Sequence, residues 1–548
     1  MRMRQFFLAL LFFAIGFKIV AQSDTTKVQV FSFKDPSPTG WGAPYVGEAN
    51  FPENGEWRKI IMVQHLKCDT ATNGDQYPCG EWDYFTNTII YVPVNDTVEE
   101  FELGSFITPY GKRLEMGGEK GWIWEYDLTD YAPLLKGKLK IKSGNNQELL
   151  DLKFLFISGK PARNSLSVQN IWPTGNYKYE YLANDSILKE RKILLDKNAS
   201  GFRVKSRISG HGHFGPHNCC EWDNKTHWYS IGDWEQLKWN VWKDCGFNPI
   251  YPQGGTWPFD RAGWCPGTKV DENEFEITDY VQPGDTLPIN YSIENYRDNG
   301  EKDGDYRMSH QLFQFGKPNF GNDAELYEII APSSKDEYSR INPVCCCPRI
   351  IIKNTGKNTL KTVLIKYGFS EGKKMEYQWS GNLEFLETET VYLPDPEWKG
   401  KTFTVELVNP NGIPDENKAN NKLVSVAKES LVLPAEFIIH IETNDLDRAR
   451  ENSYTISNSS GKLMYAGEGF KDDTEYNHEI KLASGCYEFL LTDKFEDGMM
   501  MHWWYWNEDK SKVGKNGKIT ILSKDGKTEL HVFPYDFGQE LLLNFKVD

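Results

Sequence analysis

Two stretches of the chain share one five-residue frame. Residues 79–83 read CGEWD and residues 219–223 read CCEWD, so each place sets an acid, a tryptophan and a second acid behind a cysteine. In an extended backbone alternate side chains share a face, which puts the Glu and Asp of a frame on one side and the Trp on the other. A carboxylate against an apolar ring loses solvation, so its charged form is disfavoured and its pKa rises; a second carboxylate nearby raises it further. Such pairs suit general acid–base work on a hydrolysable bond. Either frame alone reads as an acidic turn with a packing tryptophan. Two copies, each beside a cysteine and near loop-forming residues, point to a shared site. Trp82 and Trp222 offer an apolar wall or a platform for a sugar face. The segment 257–267, WPFDRAGWCPG, sets Arg261 between Trp257 and Trp264. Its planar fork can bind a carboxylate or hydrogen-bond sugar hydroxyls; its plainer use is a salt bridge to Asp260 or a neighbouring strand.

Two further groupings carry possible ligands. HGHFGPHN holds His211, His213 and His217, with His227 further on, and close histidines are ligands for copper or zinc. No matching cluster accompanies them earlier in the chain, where His65 stands alone, so hydrogen-bonding loop histidines beside a cleft are the expectation, with no metal or other cofactor. TDKFEDG, residues 492–498, groups Asp493, Glu496 and Asp497 before a glycine, as calcium loops do. The spacing is not that of an EF-hand, and a solvated turn is expected. The run MMMHWWYWN, 499–507, is expected in a sandwich core.

The elements that must position these residues are strands. Short alternating runs such as KIIMVQHL, NTIIYVPV, LLDLKFLFISG and CYEFLLTD are separated by Gly, Asn, Asp and Pro clusters, the pattern of antiparallel β-sandwiches. At 548 residues several domains are expected. Residues 1–21 have two arginines, an apolar run from Phe6 to Phe17 and a small residue at Ala21, the form of a signal peptide. Strand series then span 22–165 and 166–332, an immunoglobulin-like module 337–432, and a last β module 433–548. The expected location is secreted or periplasmic. Export makes disulfides the natural reading of the ten cysteines. Cys68 and Cys79 flank one polar loop, Cys245 and Cys265 a Gly/Pro-rich one. Cys219, Cys220, Cys345, Cys346, Cys347 and Cys486 are left without an assigned pairing. A net charge of −16 argues against a nucleic-acid binder.

The segments KCDTATNGDQYPCGEWDYFTN, SFITPYG, RISGHGH, CCEWDNKTH and WPFDRAGWCPG, in this order, resemble the peptide-N-glycosidase F family over about residues 40–330. The resemblance implies two adjacent eight-stranded antiparallel jelly rolls, here followed by two smaller β-sandwich modules. It implies hydrolysis of the amide joining N-acetylglucosamine to asparagine, with an N-glycoprotein or glycopeptide as substrate. It places the principal catalytic role on Asp83 and its partner on Glu221, with Arg261, Trp222 and Trp264 at the cleft and disulfides Cys68–Cys79 and Cys245–Cys265. Departures stand at Tyr84, where the family has arginine, at Asp223, where it has cysteine, and at Gly144, where it has a further glutamate; Glu148 is the substitute. A monomer without a membrane span is expected, with the modules beyond about residue 335 dispensable for the chemistry. Two other readings share this fold: a glycan-binding or adhesive protein without turnover, and a copper-dependent monooxygenase.

Overall fold

The structure, a computed structural model, describes residues 24–40, 42–69, 71, 80, 82–111, 121–144, 148–214, 219–232, 235–295, 304–500 and 513–548. The expected leader, Cys79, His217 and residues 501–507 of the aromatic run lie outside the described residues. Among the described residues the fold is nearly all β, with the short helix Tyr179–Ala183 and a few 3-10 turns. No helix among the described residues is long and apolar enough to cross a membrane.

Eight strands build the first unit: β1 (Thr25–Phe31), β2 (Tyr45–Phe51), β3 (Trp57–Cys68), β4 (Phe85–Val94), β5 (Thr97–Ile107), β6 (Trp122–Asp127), β7 (Gly137–Ser143) and β8 (Glu148–Ser158). They form two four-stranded sheets, ordered β1-β8-β3-β6 and β2-β7-β4-β5, so the chain crosses repeatedly from one to the other in jelly-roll winding. Alternation decides which face turns inward. β6 buries Trp122, Trp124 and Tyr126 and exposes the residues between them; β8 buries Leu150, Leu152, Phe154 and Phe156. Each such burial contributes about 2 kcal/mol.

The second unit repeats the winding with β9 (Arg163–Lys178), β10 (Arg191–Leu194), β11 (Gly201–His211), β12 (His213–Phe214), β13 (Cys219–Cys220), β14 (Lys225–Ile231), β15 (Glu235–Val241), β16 (Glu272–Glu276), β17 (Thr286–Ile293) and β18 (Asp305–Pro318). Its sheets are ordered β16-β11-β18-β9 and β10-β17-β14-β15. The small hairpin β12–β13 is an addition between β11 and β14, and the second C-x-E-W-D frame leaves from it.

A third sandwich sets the strands Ala324–Ala331, Arg349–Asn354 and Thr388–Tyr392 against a four-stranded sheet within 360–426. This corrects one expected boundary. Ala324–Ala331 was assigned to the second unit, but it pairs with Arg349–Asn354. The Lys317–Asp323 turn separates domains, and turn residues alone do not tell a hairpin from a linker. The fourth sandwich, from Leu431 to Val547, packs a five-stranded sheet on a four-stranded one. Cys345 is bonded to Cys486, tying the segment before the third sandwich's second strand to the fourth.

The two jelly rolls share a buried seam. Phe313 and Phe315 of β18 join the first unit's core, and Tyr131 meets Phe313 edge-on at 5.0 Å. Arg207 of β11, 2% exposed, donates to the Glu102 carbonyl (3.3 Å), the Leu103 carbonyl (3.1 Å) and the Tyr131 hydroxyl (3.1 Å), and pairs with Glu272. Breaking a buried pair of this kind costs about 3 kcal/mol. Arg207→Ala is expected to lower the urea midpoint of the two-roll unit accordingly, followed by tryptophan fluorescence; an unchanged midpoint would show that water replaces the arginine at no cost.

Candidate active site

Each roll delivers one acid. Asp83 sits just before β4, where Tyr84 is fixed twice to Thr108, its amide donating to the threonine hydroxyl (2.9 Å) and its carbonyl accepting the threonine amide (2.9 Å). Glu221 leaves β13 directly behind Cys219 and Cys220, which are bonded to each other. Its amide donates to the Gly212 carbonyl (2.9 Å), and its own carbonyl accepts from Ala262 (3.0 Å). Ala262 in turn accepts from Gly210 (2.9 Å). The backbones approach so closely that a Cβ on Gly210 would lie 1.9 Å from the Cys220 carbonyl oxygen. Gly263, at φ +80°, turns the next residue back, and a Cβ there would lie 2.2 Å from the Ile208 carbonyl oxygen.

Arg261 joins the two acids. Its Nε donates to Glu221 Oε1 (3.1 Å), and Nη2 lies 3.8 Å from Asp83 Oδ2. Nη1 donates to the Phe259 carbonyl (2.7 Å) and Nη2 to Thr256 Oγ1 (2.7 Å). The guanidinium carbon lies 4.3 Å from the centre of the Trp222 ring and 4.9 Å from that of Trp264. The Arg261 side chain is 0% exposed, whereas Asp83 and Glu221 keep 13% and 16%, so the acids are the part of the cluster that meets solvent.

Burial pushes the Asp83 carboxyl up to about 7; Arg261 pulls it down and the charge of Glu221 adds to the rise. Burial also raises Glu221, against the pull of Arg261. Two acids facing one fixed cation titrate as a coupled pair. The arrangement can therefore hold a water against a carboxylate whose proton affinity is matched to neutral pH, with a second acid positioned beside it.

The expected site residues do not all converge. Asp83, Glu221, Arg261 and Trp222 come together. Arg261 is corrected from a substrate contact to a positioning group, because full burial keeps it from a sugar. Trp264 is likewise corrected: it is 2% exposed, its Nε1 donates to the Gly210 carbonyl (2.7 Å), and it stacks on His211, so its faces are taken. Glu148 is buried at the head of β8, opposite Cys68. Gly144 lines a seam cavity of about 350 Å3, and the acids that share it are Glu100 and Glu102. Cys245–Cys265 is bonded; Cys68 is disulfide-bonded, and Cys79 lies outside the described residues. His211 is half-buried beside Trp264, with desolvation pushing it down to about 3; His227 is buried against Tyr291; His213 is exposed. Among the described residues these histidines form no group of three able to reach one ion.

Three residues of the site were not singled out. The Tyr110 hydroxyl meets Thr256 Oγ1 (3.2 Å), and Gln253, fully buried, accepts the Tyr110 amide (3.0 Å). Tyr110 lies in SFITPYG and Thr256 one residue before WPFDRAGWCPG, so proximity to the motifs was the available signal. The loop 245–267 is also braced from the fourth sandwich: Trp257 Nε1 donates to Asp536 Oδ1 (2.8 Å), the Gln539 amide donates to the Gly246 carbonyl (3.1 Å), and Arg340 Nη1 donates to the Phe537 carbonyl (2.7 Å) while stacking on Tyr251. The modules beyond residue 335 thus touch the loop that carries Arg261, which the sequence did not announce.

Fold and site together define a class: paired jelly rolls with an acid from each held on one buried arginine at the seam. Residues 178–313 match the family described as "Peptide-N-glycosidase F, C terminal". The peptide-N(4)-(N-acetyl-beta-D-glucosaminyl)asparagine amidase F of Elizabethkingia miricola is 28% identical over 324 residues, 54% of this chain and 85% of that protein. The solved peptide-N-glycosidase F of Flavobacterium meningosepticum is 25% identical, over 53% of this chain and 96% of that one, with a TM-score of 0.45. A second crystal structure of an asparagine amidase of this name is 24% identical over 53% and 96%, with a TM-score of 0.46. Through its two jelly rolls the chain is similar to the peptide-N-glycosidase F family.

A carboxylate serves as a base only when ionised, so a reaction that depends on Asp83 is expected to slow as pH drops through about 7. Glu221→Gln removes the neighbouring charge and is expected to shift the acid limb of the residual pH–rate profile to lower pH; a limb unmoved would uncouple the two acids. The stability sign is opposite. A folded pKa above the ordinary carboxyl value near about 4 favours folding at low pH and loses that contribution as pH rises through about 7. Asp83→Asn should therefore raise the unfolding midpoint at pH 8. Asp536→Ala leaves Trp257 Nε1 buried without its acceptor, and displacement of the Arg261 loop is expected to lower kcat about tenfold with KM little changed.

Proposed function

We propose that the protein is an exported peptide-N-glycosidase, cleaving the amide between N-acetylglucosamine and the asparagine side chain of N-glycoproteins or glycopeptides. The observation that carries this reading is the meeting of Asp83 and Glu221 on Arg261, the latter two within the residues 178–313 that match the family model. Asp83 takes a proton from water, and the oxygen adds to the amide carbonyl carbon. The C–N bond then breaks, the nitrogen receives the proton from Asp83, and the products are an aspartate-containing peptide and a glycosylamine. Glu221, aligned by Arg261, accepts hydrogen bonds from the sugar and the amide. Half-buried Trp222 offers a ring edge at the mouth. The disulfides and the leader-like N-terminal sequence support export.

The test is incubation of the purified mature chain with a denatured N-glycoprotein, with and without a chelator. Glycan release with conversion of Asn to Asp, read by mass, supports the amidase. Asp83→Asn is expected to lose activity by about a thousandfold while staying folded. Binding without release would favour the glycan-binding alternative, and chelator-sensitive oxygen consumption the oxidase.

A further inference from the structure

The fourth sandwich holds a second group of acids, away from the jelly rolls' acid pair. The strand Gly485–Asp493 runs into the turn DKFEDG and pairs with the strand Asn452–Asn458, with Asn452 directly opposite Asp493. A short 3-10 turn, Ala449–Glu451, leads into the partner strand. These pieces gather Glu451, Asp493 and Asp497, one oxygen of each lying within 4.8 Å of the others. The sequence led to the expectation of a solvated turn; instead Asp493 is 2% exposed and Asp497 8%. The expectation failed because spacing says nothing of what packs over a turn. Glu496, at φ +68°, turns aside from the pair.

The oxygens are incompletely paired. Asp493 Oδ1 accepts the amides of Phe495 (3.0 Å) and Asp497 (3.2 Å), and Arg448 Nη2 donates to Asp497 Oδ2 (3.0 Å). Asp493 Oδ2 and Asp497 Oδ1 are buried with no hydrogen-bond partner. So is Oδ1 of Asn452, 2% exposed, which shares a sheet face with Asp493. Buried carboxylates are retained when they are paired or coordinate a metal, and Arg448 is one positive charge beside three acids.

We propose that Glu451, Asp493 and Asp497, joined by Asn452 Oδ1, form a calcium site in the fourth sandwich. All donors gathered here are oxygen, the preference of a hard cation; among the described residues no His or Cys joins the group. Oxygens within 4.8 Å of one another can share one Ca2+ at about 2.4 Å each. Partly exposed Glu451 provides the entry side. Beyond the turn, the Met499 amide donates to the Tyr535 carbonyl (2.7 Å), and the next residue, Asp536, holds Trp257. Calcium would thus stiffen the turn that braces the loop 245–267. This site stands whether or not the jelly rolls are an amidase.

The full mature chain, freed of metal with a chelator, is titrated with CaCl2, MgCl2 and TbCl3. One Ca2+ per chain, bound in the range of about 0.1 to 1 mM or tighter, is expected to raise the unfolding midpoint by several degrees, with Mg2+ much weaker and Tb3+ luminescence displaced by Ca2+. Asp493→Asn and Asp497→Asn are each expected to weaken Ca2+ at least tenfold. Wild-type protein with no saturable binding and no midpoint shift overturns the proposal, as does a wild-type response in either folded variant. Should both variants misfold, Glu451→Gln at the open side decides: weakened Ca2+ supports the site, unchanged affinity overturns it.

Discussion

The guanidinium of Arg261 is wholly out of water, and taking such an ion from water costs several kcal/mol unless every donor is met. Here the donors are met by one carboxylate at hydrogen-bond distance, a second just beyond it, a carbonyl and a hydroxyl, with an indole on either side. The acids are where they are because the arginine needs them there. They depend on it equally, since two buried carboxylates without a cation would both be driven toward the neutral form. Asp83, Glu221 and Arg261 therefore behave as one titrating unit.

That unit tolerates little drift, and the rolls are joined accordingly. The second roll's segment 267–270 runs along the edge of β5: Gly267 donates to the Ile107 carbonyl (2.9 Å), Ile107 to Thr268 (3.0 Å) and Val270 to Ser105 (2.9 Å). Gln253 ties the 108–111 turn to the Ile250 and Pro266 carbonyls (2.5 and 2.9 Å). Loops ordinarily move more than strands; these are held by backbone bonds from both rolls and by Cys245–Cys265. The fourth sandwich adds a further contact through Asp536, so an element distant in sequence bears on where Arg261 sits.

Much of this was legible in the residues. Alternation over β6 and β8 reports a two-faced strand, because a sandwich strand has one wet and one dry side. The two C-x-E-W-D frames and DRAGW marked the site, since acids, tryptophans and an arginine in Gly/Pro-rich loops have few structural uses in common. The symmetry of the frames was misleading. Asp83 is the last acid of one and Glu221 the middle acid of the other; the residues alone left that pairing open, the family resemblance assigned it, and the closeness of the hairpin β12–β13 to the 261–263 turn brings it about. Trp264 and Arg261 looked like substrate contacts, for a ring and a fork read alike in a cleft and in a core.

What the sequence by itself determined was the kind of structure and the inventory of reactive groups: strands, loops, acids, cysteines and one arginine between tryptophans. These follow from local periodicity and side-chain chemistry, which act over a few residues. Tertiary structure alone decided which acids share a cation, that Cys219 bonds its neighbour while Cys345 reaches Cys486, that Asp493 and Asp497 are buried, and that Trp257 rests on Asp536. Each of these is a matter of burial and distance between segments far apart in the chain, and desolvation, which sets the charge of every group concerned, exists only once those segments have packed.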